Sequence, residues 1–358
     1  MASFQKLHGF SSQFLLLVIV LMFLSTVPLA LGQCEEETEN SCHNKAEATK
    51  LKLIAIAAIL LTSMIGVCAP LFSKLIQALQ PDRNLFIVIK AFASGVILAT
   101  GYMHVLPDSF NDLMSECLPE NPWRKFPFTT FVAMLSAILT LMVDSFAMST
   151  YKKHCSKGLV ADGGDVAGSL ENGNSQIQNL GHGHAHVSAF EKNDVASQLL
   201  RHRVIAQILE LGIIVHSVVI GLAMGASDNQ CTIKSLIAAL CFHQMFEGMG
   251  LGGCILQAEY KFKMKAIMVF FFSATTPLGI VLGMLLEKVY SETSPTALIV
   301  VGLLNACSAG LLNYMALVDL LAADFMGPKL QTNMKLQGWS YVAVLLGAGL
   351  MSLMAKWA

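Results

Sequence analysis

Long apolar runs separated by short polar stretches dominate the chain. Eight of these runs are long enough to cross about 30 Å of hydrocarbon, which takes roughly 20 helical residues. They span residues 53–73, 85–107, 128–150, 204–226, 233–256, 266–286, 296–323 and 338–355. In lipid, every backbone polar group needs a hydrogen-bond partner within the protein. A single apolar run can satisfy all of its own backbone groups only as a helix. The pattern therefore predicts an all-α polytopic membrane protein with eight transmembrane helices.

A further apolar run near the start of the chain follows Lys6 and ends before Ala30 and Gly32. A positive start, a short apolar middle and small residues before a cleavage point are typical of a secretory signal. We predict that residues 1–32 form a cleaved signal peptide; the alternative is a first membrane helix. Cleavage would place residues 33–52 outside the cell.

The distribution of Lys and Arg predicts the orientation of the helices. With the N-terminus outside, the inner loops and their flanks carry more of these residues than the outer ones, Lys90 and Arg201 among them, as expected for cytoplasmic loops. Both termini are then extracellular, and residues 152–200 form the one long cytoplasmic loop. This loop separates three helices in 53–151 from five in 201–358. Its Gly, Asn, Ser, Asp and His content predicts a largely disordered segment.

The composition excludes several other classes of protein. Hydrophobic residues make up 54% of the 358 residues, charged residues make up 13%, and the mean hydropathy is +0.60. An ordinary soluble domain has about 45–50% apolar and about 25% charged residues, so a soluble enzyme is excluded. The net charge of −1 excludes a basic nucleic-acid binder. Four cysteines would face the oxidising side, where they could pair: Cys34, Cys42, Cys117 and Cys231.

Ionisable residues lie at the centres of two consecutive spans. His216 is one residue from the centre of 204–226, and His243 is within two residues of the centre of 233–256. Such residues are costly in hydrocarbon and usually mark a pathway. Glu247 follows His243 by four residues and so projects from the same helix face. Imidazole and carboxylate groups together suit divalent first-row cations. A structural polar clamp between two helices is the alternative, but two histidines and an acid at one depth favour a metal site.

The two helices also resemble each other in sequence. His216-Ser-Val-Val-Ile-Gly221 aligns with His243-Gln-Met-Phe-Glu-Gly248, and Gly225 then matches Gly252. Similarity in the forward direction between antiparallel helices is what an inverted repeat predicts, and transporters place their binding site at such an interface. We therefore expect an inverted-repeat bundle.

Other polar residues mark the two ends of a route. At the outer end, His104 and Asp108 are four residues apart and could collect cations, although Asp108 is equally well explained as a helix cap. Towards the cytoplasm, Glu210 lies about 9 Å from the midplane histidine of its helix. Asp144 and Asp319 lie near the inner surface. Each of these two acids is either an exit ligand or a structural acid.

The predicted cytoplasmic loop carries three alternating histidines, His182, His184 and His186. Histidines on a flexible backbone bind zinc-like ions weakly, so we predict that they sense or buffer the metal; an inert, solvated tract is the alternative. Lys192 is accessible enough for modification, which would make ubiquitination or trafficking machinery a partner of this loop.

Three stretches resemble those of the ZIP (Zrt/Irt-like) metal transporters. They are the run from Phe92 to Asp108, the helix with His216-Ser217 and Gly221, and His243-Gln-x-x-Glu247-Gly248. The resemblance covers about residues 50–358. The ending from Met351 to Ala358 and the signal sequence are similar to the plant iron-regulated-transporter branch.

This resemblance implies import of Fe²⁺, Zn²⁺ and often Mn²⁺ or Cd²⁺ into the cytoplasm, usually at the plasma membrane. The metal is then the transported substrate, and no cofactor is implied. Carried over by position, the residues of the metal site are His216 and Glu247 as core ligands, with Ser217, His243 and Gln244 lining the site. Many relatives have a carboxylate at the position of Ile220, so we expect one principal ion here.

The mechanism expected from these features is alternating access, in which one group of helices rocks against the other and the ion passes inwards. A metal-gated cation channel and a membrane metal sensor that does not transport are the alternatives. No enzyme is expected, because an intramembrane zinc protease would need a motif such as His-Glu-x-x-His on one helix. The expected partners are divalent metal ions and the lipid bilayer; a homodimer is a further option, and nucleic acid is not expected.

Overall fold

The computed structural model describes residues 44–73, 83–162, 183–286 and 294–356. These residues form eight long helices, numbered here in chain order. They are α1 (Lys45–Leu71), α2 (Asn84–Leu113), α3 (Phe128–Asp162), α4 (Gly183–Ala226), α5 (Gln230–Gln257), α6 (Phe262–Leu286), α7 (Pro295–Phe325) and α8 (Met334–Ala355).

Most of these helices have the length and composition of membrane spans. Among the described residues, seven helices are long and apolar enough to cross a bilayer. The other long helix, α5, has 28 residues but carries His243, Gln244 and Glu247 in its middle, which lowers its apolarity. The all-α polytopic membrane architecture is thus confirmed. The count of eight spans stays a prediction.

The structure differs from the sequence-based boundaries on both sides of the predicted cytoplasmic loop. Helix α3 continues to Asp162, and α4 begins at Gly183, so both reach into the segment for which we predicted little regular structure. Residues 163–182 lie outside the described residues, as do residues 1–43. The signal peptide and metal binding by His182 therefore stay predictions.

Four of the helices begin at a side chain that caps their first turn. Asn44, Asn229, Ser294 and Asn333 precede α1, α5, α7 and α8, and each accepts a hydrogen bond from a backbone N–H two or three residues later. Such caps satisfy N–H groups that have no partner within the helix. The short polar stretches between the apolar runs thus fix where these helices start.

The helices pack as two sets of four. The most extensive contacts lie within quartet 1 (α1, α4, α5 and α6) or within quartet 2 (α2, α3, α7 and α8). In quartet 1, α1 packs on α5 and α4 packs on α6; in quartet 2, α2 packs on α8 and α3 packs on α7. Exchanging α1 with α6, α2 with α7, α3 with α8 and α4 with α5 reproduces this pairing, as an inverted repeat requires.

The glycines of the predicted repeat serve equivalent contacts in quartet 1. A Cβ added to Gly225 of α4 would lie 2.3 Å from the Ile280 carbonyl oxygen of α6, and one added to Gly252 of α5 would lie 2.4 Å from the Val67 carbonyl oxygen of α1. Both distances are far below van der Waals contact, so only glycine permits this approach of the backbones.

Two helices contain a segment of wider π-helical turns. In α2 it spans Gly101–Val105, and in α7 it spans Met315–Ala322. An extra residue in a turn rotates the side chains that follow it, and such segments are frequent at functional sites. These segments contain His104 and Asp319.

The two ends of the bundle are named after the predicted orientation. The outer end holds the α2–α3 and α4–α5 connections, and the inner end holds the α5–α6 and α7–α8 connections. Cys117 and Cys231, which lie in or beside the two outer connections, are both disulfide-bonded, as suits an oxidising compartment.

Candidate metal site

Three imidazole rings meet between α2, α4 and α5. The ring centroids of His216 and His243 are 5.7 Å apart, and the ring of His104 lies 5.7 Å from each of them. All three side chains are buried. The sequence placed His104 at the outer mouth, whereas the structure places it beside the two midplane histidines.

The triangle has the size that one shared cation requires. A point equidistant from the three centroids is about 3.3 Å from each, by the geometry of an equilateral triangle with sides of 5.7 Å. A ring nitrogen that binds a metal at about 2.0–2.1 Å would hold its centroid about 3.2 Å from the ion. In the described residues, no three His, Cys, Asp or Glu side chains already converge as a ligand set. The rings would therefore turn their nitrogens inwards on binding.

Unpaired polar atoms are concentrated around this triangle. A buried polar atom without a hydrogen bond costs about 1–3 kcal/mol, and several occur together here. Within the described protein, the following buried atoms have no hydrogen-bond partner: Nε2 of His104, both ring nitrogens of His216 and of His243, Oγ of Ser217, Nε2 of Gln244 and both carboxylate oxygens of Glu247. A bound cation would satisfy one nitrogen of each ring and the carboxylate at once, which no pairing among the described residues does.

The site has a carboxylate on one of its two repeats only. Glu247 is fully buried on α5, one helical turn after His243. The matching position on α4, Ile220, packs in an apolar cluster with Ile59, Met224 and others. A second ion would lack a bridging acid there, which fits a mononuclear site.

Two acidic side chains of α2 lie between His104 and the outer end of the helix. Nδ1 of His104 lies 3.7 Å from Oδ2 of Asp108. One turn further out, Asp112 accepts a hydrogen bond of 3.5 Å from Nδ2 of Asn305 on α7. Asp112 is not among the residues predicted from the sequence, although its spacing of four from Asp108 was a usable signal. Negative groups at a mouth raise the local concentration of cations.

Towards the inner end, buried acids lie close to basic side chains. Glu210 of α4 and Asp319 of α7 are among the buried side chains. Asp319 lies 3.7 Å from a guanidinium nitrogen of Arg201, and Asp144 of α3 is close enough to interact electrostatically with both. From the sequence alone, Arg201 served only as a sign of orientation.

A second basic group, Lys90, lies on α2 at the same end and, unlike Arg201, is buried. Its ammonium group lies 3.0 Å from Oδ1 of Asp324 and donates a 3.3 Å hydrogen bond to Gln257 of α5. The sequence signal for a buried charge at this position was the occurrence of a lysine within an otherwise apolar run.

The connection between α5 and α6 is tied to α4. The hydroxyl of Tyr260 donates a 3.0 Å hydrogen bond to the Arg203 carbonyl oxygen, and Nε of Arg203 donates one of 3.0 Å to the Ala258 carbonyl oxygen. Burial raises the pKa of Tyr260, which takes it further from neutral pH, where the hydroxyl is a donor in any case. These contacts hold the inner ends of two quartet 1 helices together.

Of the loop histidines, His184 and His186 lie in the first turn of α4, and His182 lies outside the described residues. Metal binding by this tract stays a prediction.

The fold and the site together define a class of protein. A bundle of apolar helices in two quartets surrounds a buried cluster of imidazoles and a carboxylate, with an acidic approach from one end. This is the organisation of a membrane protein that conducts or carries small cations.

Comparison with known proteins gives the family. Residues 49–355 match the family described as "ZIP Zinc transporter", and the chain belongs to that family. It is 60% identical to "Zinc transporter 7" of Arabidopsis thaliana, over 95% of this chain and 97% of that protein. It is also 60% identical to "Fe(2+) transport protein 1" of Oryza sativa subsp. japonica, over 89% of this chain and 87% of that protein. "Fe(2+) transport protein 1" of Arabidopsis thaliana is 58% identical, over 96% of each chain. The resemblance to the ZIP family and its plant branch is confirmed.

Proposed function

We propose that this protein imports divalent transition-metal cations, chiefly Fe²⁺ and Zn²⁺ and also Mn²⁺ and Cd²⁺, into the cytoplasm across the plasma membrane. Membership of the family and the names of the zinc and Fe(2+) transport relatives support metal transport. The observation that carries the assignment to a site is the buried triangle of imidazoles beside an unpaired carboxylate.

In this proposal, His104, His216, His243 and Glu247 bind one cation, and Ser217 and Gln244 complete its surroundings. All four metals accept a mixed set of nitrogen and oxygen ligands. The ligands bind in their deprotonated forms, and together they replace the waters that the cation loses on leaving the outer solution. A single carboxylate supports one principal ion rather than two.

The proposed route of the cation follows acidic side chains on both sides of the metal site. Asp112 and Asp108 attract the hydrated cation at the outer end, and Asp108 passes it to His104, to which it is adjacent. From the midplane the ion moves to Glu210 and then to the buried Asp319 near the inner end. Asp144 stands beside this last position as a second inner acid.

The division into quartets suggests how the site opens. His216, His243 and Glu247 belong to quartet 1, whereas His104 belongs to quartet 2. Movement of one quartet against the other would pull His104 away from the other two rings. The cation would then lose a ligand as access changes from one side to the other. The movement that opens the site to the inside would therefore also weaken binding of the cation and promote its release.

The direct test is metal uptake by yeast that lacks its own transporters for zinc and iron. We expect saturable accumulation of radioactive zinc and iron with the parent chain, and loss of it with His216→Ala and with Glu247→Gln at equal amounts of protein in the membrane. Gly338→Ala is a matched control, because a Cβ there meets nothing within 4 Å. Cells that express the parent and accumulate no metal would contradict transport, and unsaturable flux would indicate a channel. Uptake at the parent's rate in both site variants would contradict the site.

A further inference from the structure

Two close helix contacts relate α2 to α7. A Cβ added to Gly95 of α2 would lie 2.2 Å from the Val344 carbonyl oxygen of α8, and one added to Gly310 of α7 would lie 2.2 Å from the Ala133 carbonyl oxygen of α3. These contacts occupy equivalent places in the exchange of helices described above. They therefore fix which residue of α7 corresponds to which residue of α2.

By that correspondence, Asp319 is the counterpart of His104. From Gly95 to His104 and from Gly310 to Asp319 there are equal numbers of residues, and each path passes into a π-helical segment. The exchange inverts the bundle, so the ligand position that α2 reaches as it runs outwards corresponds to one that α7 reaches as it runs inwards. Asp319 should then face the route between the midplane and the inner end.

Asp319 is well placed to hold a cation there. Its side chain is 1% exposed, and its Oδ1 atom has no hydrogen-bond partner within the described protein. A carboxylate at this depth is costly unless a positive group lies near it. The group that lies near it is Arg201, whose guanidinium nitrogen is 3.7 Å from Oδ1.

This ion pair joins the two quartets at the inner end. Arg201 is on α4 of quartet 1, and Asp319 is on α7 of quartet 2. The hydrogen bond from Lys90 to Gln257 crosses between the quartets at the same end. Two positive groups thus lie where a cation would leave, and each would repel it unless paired with an acid.

We propose that Arg201 is a tethered cation that occupies Asp319 and closes the inner end, and that the transported ion displaces it on leaving. The guanidinium balances the charge of the buried carboxylate, at 3.7 Å from its Oδ1 atom, while the inner end is shut. When the ion arrives, the same carboxylate exchanges one positive partner for another, and the contact between the quartets is released. The identity of the displacing ion rests on the proposed function; the closure by Arg201 does not.

A native thiol reports whether the inner end is closed. Cys254 of α5 is free and buried, and it lies two turns, about 10 Å, beyond Glu247 on the same helix face. Lys90, Asp324 and Asp319 are its charged neighbours. The assay is the rate at which a membrane-impermeant maleimide labels Cys254 in inside-out vesicles of the full chain, and Cys254→Ser defines the background from other cysteines.

We expect slow labelling of the parent and of Arg201→Lys, which keeps the positive charge. Arg201→Gln and Asp319→Asn should each be labelled about five-fold faster, and the double variant should be no faster than either, because the two residues form one coupled pair. Equal labelling of the parent and Arg201→Gln would overturn the proposal, and so would labelling of Arg201→Lys as fast as that of Arg201→Gln.

A second measurement separates a tethered cation from a structural contact. Mn²⁺, which prefers oxygen ligands to thiols, is added on the exposed cytoplasmic face. It should slow labelling of Arg201→Gln by taking the place of the guanidinium, and it should have no effect on the double variant with Asp319→Asn. Equal protection of both would overturn the exchange at Asp319. Because labelling needs no import, a failure here and a failure of metal uptake are distinguishable.

Discussion

Removal of the His104 imidazole is the sharpest test of the metal site, because two roles for this residue predict different outcomes. If His104 only collects ions at the mouth, His104→Ala changes the rate at which metal arrives and leaves the equilibrium affinity as it was. If His104 is a ligand, the affinity itself falls. The ring lies 5.7 Å from the rings of both His216 and His243, so we expect the second outcome.

The size of the effect follows from the geometry. Loss of one of three imidazoles equidistant from the ion leaves two nitrogens and the Glu247 carboxylate. Even residues that only support a metal ligand cost about 10- to 100-fold in affinity when removed, which is about 1.4–2.7 kcal/mol. We therefore expect the Kd for Zn²⁺ to rise by at least about 10-fold.

The assay is calorimetric titration of Zn²⁺ into the purified protein in lipid nanodiscs, where no transport occurs and only the equilibrium is measured. His202→Ala is the matched control, because His202 is a histidine of α4 that lies 14 residues before His216, towards the inner end. A Kd for His104→Ala within two-fold of the parent, with binding abolished in His216→Ala, would refute the triangle and return His104 to a role at the mouth.

Three further changes test the carboxylate, the single-ion site and the helix packing. Glu247→Gln should reduce zinc uptake by about 100-fold. It should leave the melting temperature without metal unchanged or higher, because a buried unpaired carboxylate is removed. If added zinc raised the melting temperature of the variant as much as that of the parent, Glu247 would not be a zinc ligand. Ile220→Asp should raise the stoichiometry of bound zinc from one towards two, as measured by elemental analysis of dialysed protein, and Ile220→Asn is its uncharged control. Gly310→Ala should destabilise the protein by about 1–3 kcal/mol through overpacking against α3, as seen in thermal unfolding, whereas Gly338→Ala should not.

Much of the helical framework was predictable from the sequence. The predicted spans 85–107 and 296–323 fall within α2 and α7, because hydropathy and helix length are local properties that lipid constrains strongly. Where prediction and structure differ, local apolarity was a poor guide. Helix α2 continues past Pro107 to Leu113 as a polar helix at the bundle end, and a hydropathy pattern stops before such a segment.

The site was predictable in part, for a similar reason. The depth of a residue in its helix follows from counting, so His216 and His243 were placed at one level and Glu247 on the face of His243. Counting also placed His104 near the mouth. What counting could not supply is how α2 packs against the other two helices and where its π-helical turn directs the ring. Arg201 and Lys90 show the same limit, since their charge gave the orientation but not the buried acids they meet.

The sequence by itself thus determined the helices, their order and the chemistry available at the midplane, because each of these depends on neighbours along the chain. Tertiary structure alone decided that His104 completes a triangle and that Arg201 meets Asp319. Both outcomes depend on side chains more than 100 residues apart, brought together by glycine contacts between helices. Pair contacts of that kind arise from packing of whole helices, which no local pattern encodes.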